Sequence, residues 1–149
     1  MEKNSTVIVV VAVALVGQGP RVLMQKRPAN KAHGGLWEFP GGKVEMGETP
    51  ESALVRETDE ELGVALEPAD LEPLSFATQA LGSAGGSMVL LLYRARKWRG
   101  DPKALEPDTE VAWVDFSALL DLPMPPLDVP LAASLIRSIE GVAKAEGPS

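Results

Sequence analysis

Gly42, Glu48, Arg56, Glu57, Glu60, Glu61 and Gly63 fall within one stretch of the chain, Phe39 to Val64, FPGGKVEMGETPESALVRETDEELGV. Carboxylates crowded in this way repel one another, and on a concave surface something positive must hold them ionised. Hard oxygen donors without His or Cys favour Mg²⁺ or Mn²⁺ over zinc, and magnesium commonly bridges to phosphate groups. The i, i+3, i+4 spacing of Glu57, Glu60 and Glu61 lets one helical turn present all three. The Gly41-Gly42 pair before it lets the backbone approach the same ions. Taken alone, the glutamate trio reads more simply as a solvated helix face on which Arg56 makes surface pairs.

The helix that carries these groups is signed at both ends. Thr49 is placed as its N-cap, Pro50 as its first residue and Gly63 as a left-handed C-cap. At about 100° per residue, Glu57, Glu60 and Glu61 fall within one arc, beside Leu54, Val55, Thr58 and Leu62. One side can pack on a sheet while the carboxylates line an edge or cleft.

Upstream, Thr6 to Val16 reads as a strand buried on both faces. It is too short for a membrane span, which needs about 20 residues. Ala12-Val13-Ala14 loosely resembles a signal-peptidase site, but Glu2 weakens the basic start that such a leader needs. Gly17 to Pro20 is a turn, and Arg21 to Arg27 completes a hairpin. Pro28 to Leu36 is a loop holding the only histidine, His33, to which no role is assigned.

Downstream, Glu67 to Leu74 reads as a linker, and Ser75 to Leu81 and Ser87 to Trp98 as strands joined by Gly82 to Gly86. Arg99 to Glu110 is a polar loop, Val111 to Phe116 a strand and Leu119 to Val129 a proline-rich connection. Pro130 to about Lys144 is an amphipathic helix. Interspersed helices and hairpins predict an α/β fold with a mixed sheet. At 149 residues the length predicts one domain, with 1–5 and 145–149 as frayed tails.

A net charge of -7 argues against duplex nucleic acid as a partner, since phosphates call for a basic stripe. A small phosphorylated substrate stays open, because divalent cations can supply the positive charge. With no cysteine there is neither a disulfide framework nor a thiolate metal site, which fits a cytoplasmic protein. No membrane association is expected, and the oligomeric state, monomer or homodimer, is left open.

The order Gly42, five residues, Glu48, seven residues, Arg56-Glu57, two residues, Glu60-Glu61, one residue, Gly63 and an aliphatic Val64 resembles the Nudix box. Its one departure is Thr58, where the family usually carries Leu, Ile or Val. Trp37 to Lys43 together with Glu45 to Pro50 is similar to the MutT-like branch, nucleoside triphosphate pyrophosphohydrolases that include 8-oxo-dGTP diphosphatase.

The resemblance implies a Nudix α/β/α sandwich with a mixed sheet between helices. It also implies Mg²⁺-dependent hydrolysis, with Mn²⁺ as a possible substitute, of nucleoside triphosphates to monophosphate and pyrophosphate. Oxidised nucleotides such as 8-oxo-dGTP would be the targets, a nucleotide-pool sanitation that spares DNA repair. The family's metal ligands map onto the Gly41 carbonyl, Glu57, Glu60 and Glu61, with Glu48 and Glu106 as further acidic groups. Arg56 would hold Glu57. Glu57 is favoured as the base, with Glu106 as its rival.

On the substrate side, Arg27 matches a position that grips substrate phosphates and Lys43 lies beside the glycine pair, with a surface charge as the alternative for each; Phe39 is a candidate for the base pocket, with the core as its alternative. Asp128 stands where MutT-like chains place an Asn that reads the base. A carboxylate accepts hydrogen bonds and donates only when protonated, so Asp128 could suit an exocyclic amine such as that of cytosine. Its surroundings resemble the CTP pyrophosphohydrolase members of the branch, and Asp also suits the N-cap of the last helix. ADP-ribose or a dinucleoside polyphosphate is an alternative substrate. A non-catalytic nucleotide-sensing Nudix-like module is the alternative of another class.

Overall fold

The β-branched run near the N-terminus becomes the strand around which the sheet assembles. The computed structural model describes residues 6–145. Strand β1, Val7–Gly17, pairs along one whole edge with β6, Ser87–Ala95, in parallel. Its other edge is divided. β4, Gly41–Lys43, takes Val10 to Ala12, and β2, Arg21–Lys26, takes only Val16 and Gly17. Between them the Val13 N–H donates to the Pro40 carbonyl at 2.9 Å. β2 therefore parts from β1 after the turn, and the gap opens towards the glutamate helix.

Around this centre the strand order is β3-β2-β1-β6-β5, where β3 is Trp37–Glu38 and β5 is Glu72–Ala80. β7, Glu110–Asp115, pairs with β2. Every pairing except β1–β6 is antiparallel, so the sheet is mixed, as the hairpins predict. Helix α1, Pro50–Leu62, covers one face; α2, Phe116–Leu119, and α3, Asp128–Ala145, cover the other.

The two-sided burial of β1 follows from strand alternation. Val11, Val13 and Leu15 pack with Ala53, Leu54 and Leu62 of α1. Ala12 and Ala14 pack on the other side with Leu131 and Leu135 of α3. Residues Val11 to Leu15 are all at most 2% exposed. At about 25 cal/mol per Å² of apolar surface, each of the valine and leucine side chains among them contributes on the order of 2 kcal/mol.

Several boundaries differ from the sequence expectation. The segment expected to be a linker holds a 3₁₀ turn, Pro68–Asp70, and the start of β5. Pro73 is tolerated there because β5 is an edge strand with an irregular register between Pro73 and Ser75, where no ladder donor is needed. Gly41–Lys43 forms a short strand, and neither it nor α2 was anticipated. The tails expected to fray lie outside the described residues, apart from Ala145. Among the described residues no helix is long and apolar enough to cross a membrane.

Thr58, the departure from the box, is fully buried. Its hydroxyl donates to the Leu54 carbonyl at 2.9 Å and lies 3.2 Å from that of Val55. The hydroxyl is satisfied within its own helix, and removing it strands no partner. Thr58→Val should therefore be neutral to stabilising, by up to about 1 kcal/mol, read as an equal or higher urea midpoint. A clear loss of stability would show that the back-bond matters more than apolar fit.

Candidate active site

Helix α1 is held in register by its ends. Thr49 and Ser52 form a reciprocal capping box, with Ser52 N–H donating to Thr49 Oγ1 at 3.1 Å and Thr49 N–H to Ser52 Oγ at 3.0 Å. Gly63 closes the helix at φ 68°, a left-handed conformation that favours glycine, and its N–H donates to the Asp59 carbonyl at 3.0 Å. Between these anchors, burial of Leu54, Thr58 and Leu62 turns the adjoining arc towards the gap beside β1.

Arg56 organises that arc. Its Nε and Nη2 fork onto Glu48 at 2.8 and 2.9 Å, Nη1 reaches Glu57 at 3.0 Å and Glu60 at 3.4 Å, and Nη2 also donates to the Lys43 carbonyl at 3.2 Å. Hydrogen bonding from Arg56 pulls the Glu48 carboxyl down to about 2. Charge-assisted, forked bonds of this kind fix geometry as well as energy.

Glu61 is opposite in character. Burial pushes its carboxyl above the usual range, contact with the Glu57 carboxylate pushes it further, and the Gly41 amide draws it partly back. Glu61 Oε2 is buried without a hydrogen-bond partner among the described residues. A Cβ on Gly42 would overlap the Glu57 carboxylate, and one on Gly41 would overlap the Val11 carbonyl. The glycine pair thus lets β4 lie against both β1 and the acid cluster.

Among the described residues no three His, Cys, Asp or Glu side chains are grouped so as to hold an ion, and Glu57 and Glu60 both accept from Arg56. The orphaned oxygen of Glu61 and its contact with a second carboxylate nevertheless fit a divalent cation, whose charge removes the repulsion between them.

Two cavities meet here. One, of about 480 Å³, is lined by Gln25, Arg27, Glu38, Gly41, Glu61 and Glu106 among others. The second, of about 470 Å³, is lined by Phe39, Lys43, Leu90, Pro126 and Asp128, and again by Arg27, Glu38 and Gly41. The shared wall is an ion pair, Arg27 Nη1 donating to Glu38 at 3.0 Å, while Arg27 Nε donates to the Ala32 carbonyl at 2.8 Å.

Asp128 closes the second cavity at 4% exposure. It is the first residue of α3, and its one side-chain hydrogen bond among the described residues is from Phe39 N–H to Oδ2 at 3.1 Å. It therefore does not serve as the N-cap. Burial raises its carboxyl to about 7, against the Phe39 amide that lowers it; Glu38 raises it further and Arg27 opposes.

The structure thus brings Gly41, Glu61 and Glu106 to one cavity and Phe39, Lys43 and Asp128 to the other, with Arg27 between; Glu57 lies against Glu61 and Arg56 and lines neither. Glu48 and Glu60 sit on the Arg56 side, with the Glu60 side chain 53% exposed. Sequence reasoning missed Glu38 and Gln25. Their signal was strand alternation, since the two are register partners across β2 and β3.

The NUDIX domain model matches residues 6–135. A Mycobacterium tuberculosis protein named "Putative 8-oxo-dGTP diphosphatase 2" is 38% identical over 91% of this chain and 92% of its own length. The Escherichia coli CTP pyrophosphohydrolase is 33% identical over 81% of this chain and 86% of its own. A crystal structure of a MutT NUDIX hydrolase from Burkholderia pseudomallei superposes with a TM-score of 0.70 at 32% identity, covering 88% of this chain and 97% of that one.

Proposed function

The chain belongs to the NUDIX domain family and is a hydrolase of phosphoric anhydrides, and we propose that it cleaves nucleoside triphosphates to monophosphate and pyrophosphate. The observation that carries this reading is the pair of adjoining cavities sharing Arg27, Glu38 and Gly41. One is acidic and polar, suited to a metal-neutralised polyphosphate. The other is more apolar and ends on a single buried carboxyl, suited to a flat base read at one edge.

Glu57, Glu61 and the Gly41 carbonyl would hold the divalent cation, with Glu60, Glu48 and Glu106 as outer acidic groups. When bound, Mg²⁺ or Mn²⁺ supplies neutralisation of the polyphosphate and of the charge that develops at phosphorus. Arg27 and Lys43 grip phosphate oxygens, and Glu38 holds the Arg27 guanidinium at the junction. Arg56 fixes Glu57, which accepts the proton of the attacking water. The hydroxyl of water forms the new bond to phosphorus, and the bridging P–O bond breaks with its electrons on the leaving phosphate. Phe39 contributes apolar surface to the base cavity.

8-oxo-dGTP is the substrate to test first, in the company of the diphosphatase relatives. Pyrophosphate release measured across canonical and oxidised nucleotides with Mg²⁺ or Mn²⁺ tests the reading. No release from any of them would reject it.

Asp128 favours a second reading, a cytosine nucleotide. With Oδ2 taken by the Phe39 amide, Oδ1 is the atom free to meet the base. Ionised, the carboxylate accepts from the N1–H and N2–H₂ edge of guanine. Protonated, it donates to N3 of cytosine while accepting from N4–H₂. With a midpoint of about 7, the kcat/KM ratio of cytosine to guanine nucleotides should rise by up to about a hundredfold as pH falls from 8 to 6, since it follows the ratio of protonated to ionised carboxyl.

In Asp128→Asn that ratio should be flat with pH, and a ratio with the same slope in both proteins would remove Asp128 from base reading. The stability sign follows. A carboxyl raised from 3.8 to about 7 loses stability for the fold as pH rises between those values. The Asn variant should accordingly gain in Tm relative to wild type over that window.

A further inference from the structure

Gln25 is 5% exposed, and its amide takes no part in the phosphate or base contacts. On β2, Leu23 packs in the α1-side core and Met24 in the α3-side core, so alternation turns Gln25 to the α1 side. Its register partner on β3 is Glu38. Both line the cavity that also holds Arg27, Gly41, Glu61 and Glu106.

No hydrogen bond joins the Gln25 carboxamide to another described side chain or backbone group. A primary amide carries two donors and an acceptor, and those of Gln25 are not sealed by protein but open onto the cavity that the residue lines. Glu61 lines the same cavity, and its Oε2 has no hydrogen-bond partner among the described residues. An amide without a protein partner and a carboxyl group on one polar cavity point to a small molecule held beside them, and the cavity has room for several waters.

We propose that Gln25 is a positioning residue that orients the attacking water through its carboxamide, against the Glu57–Glu61 carboxylate pair. This rests on the hydrolase reading above. The amide oxygen accepts one hydrogen of the water, which leaves the other directed at the carboxylates and a lone pair directed at phosphorus. One P–O bond forms from that lone pair, and the bridging P–O bond breaks onto the leaving phosphate. The water's proton passes to a carboxylate of the pair and then to solvent. Gln25 is neutral, so it orients the nucleophile without adding to the acid cluster's repulsion.

Two variants test this, each measured three ways. Gln25→Met keeps the volume and removes the amide; Gln25→Ala vacates room in which a second water can stand for it. In the Met variant kcat should fall about 10- to 100-fold, as expected when a nucleophile loses its orientation. Affinity for a non-hydrolysable α,β-methylene nucleoside triphosphate, measured by calorimetry with Mg²⁺, should stay within about twofold, and Tm within about 2 °C.

The Ala variant should turn over faster than Met, because water can replace the lost polar atom. A packing role predicts the reverse order, with Ala the less stable and less active, and would overturn the proposal. An unchanged kcat in Met, or a loss of analogue affinity that matches the loss of turnover, would overturn it as well. If wild type itself hydrolyses no nucleotide, it is the hydrolase reading that fails. Normal wild-type turnover with an unaffected Met variant removes only the role of Gln25.

Discussion

Glu57→Gln is expected to lower kcat by about 10²- to 10⁴-fold, the span associated with losing a positioned general base. The substitution keeps size and shape, and its amide oxygen can still accept from Arg56, which now donates to Glu57 at 3.0 Å. What disappears is the negative charge that pushes Glu61 upward and would accept a proton from water. Like-charge repulsion is relieved, so the fold should keep or gain stability. Steady-state pyrophosphate release, paired with a thermal melt, separates the two effects. Turnover within about threefold of wild type would assign the base elsewhere, with Glu106 the first replacement to try. A chain that only senses nucleotides would have no turnover to lose.

Arg56→Lys is the second large effect, because one guanidinium does what an ammonium cannot. Its fork meets both oxygens of Glu48 at 2.8 and 2.9 Å while the third nitrogen holds Glu57 at 3.0 Å. Lys is a point donor on a flexible stem and can satisfy only part of this set. Loss of an outer partner of this kind typically costs about 10- to 100-fold in activity or metal affinity. The loss should appear in kcat and in the Mg²⁺ concentration needed for half-activation.

The pH behaviour of the Lys variant has a definite sign. Glu48 is drawn from 4.5 down to about 2, so its contribution to stability is present above 4.5 and is lost as pH falls towards 2. Weakening that bond brings the loss to higher pH, and the acid-unfolding midpoint should rise. An unshifted midpoint together with unchanged Mg²⁺ dependence would show that a single positive charge suffices.

The glutamate helix was legible because local rules wrote it: Thr49, Pro50 and Gly63 mark its ends, and Leu54, Thr58 and Leu62 its buried side. Much of the sheet was legible for the same reason, through alternation and turn residues. The cavities were not. Asp128 meets Phe39 across 89 positions of sequence, a distance over which no periodicity in the chain carries information, while for Glu38 and Gln25, which meet across β2 and β3, alternation gives the face of each and not its partner. The partners of the acids were not legible either, because spacing along a helix places side chains on an arc without saying which neighbour each will choose. Arg56, sitting among them, decides that. Pro73 misled for a different reason: proline argues against a strand only where its missing donor is needed, and at a sheet edge it is not.

β1 has a further consequence, in the order in which the chain can fold. Its apolar run, Val7 to Val16, leaves the ribosome before the other described strands, yet its longest partner begins at Ser87, eighty residues downstream. Until then only β2 and β4 are available, and together they meet five of its positions. Parallel pairing over such a separation is slow, because loop closure must precede any gain from contact. The strand that anchors the finished sheet is thus the segment longest exposed during synthesis, and growth conditions that slow elongation between β4 and β6 lengthen that exposure.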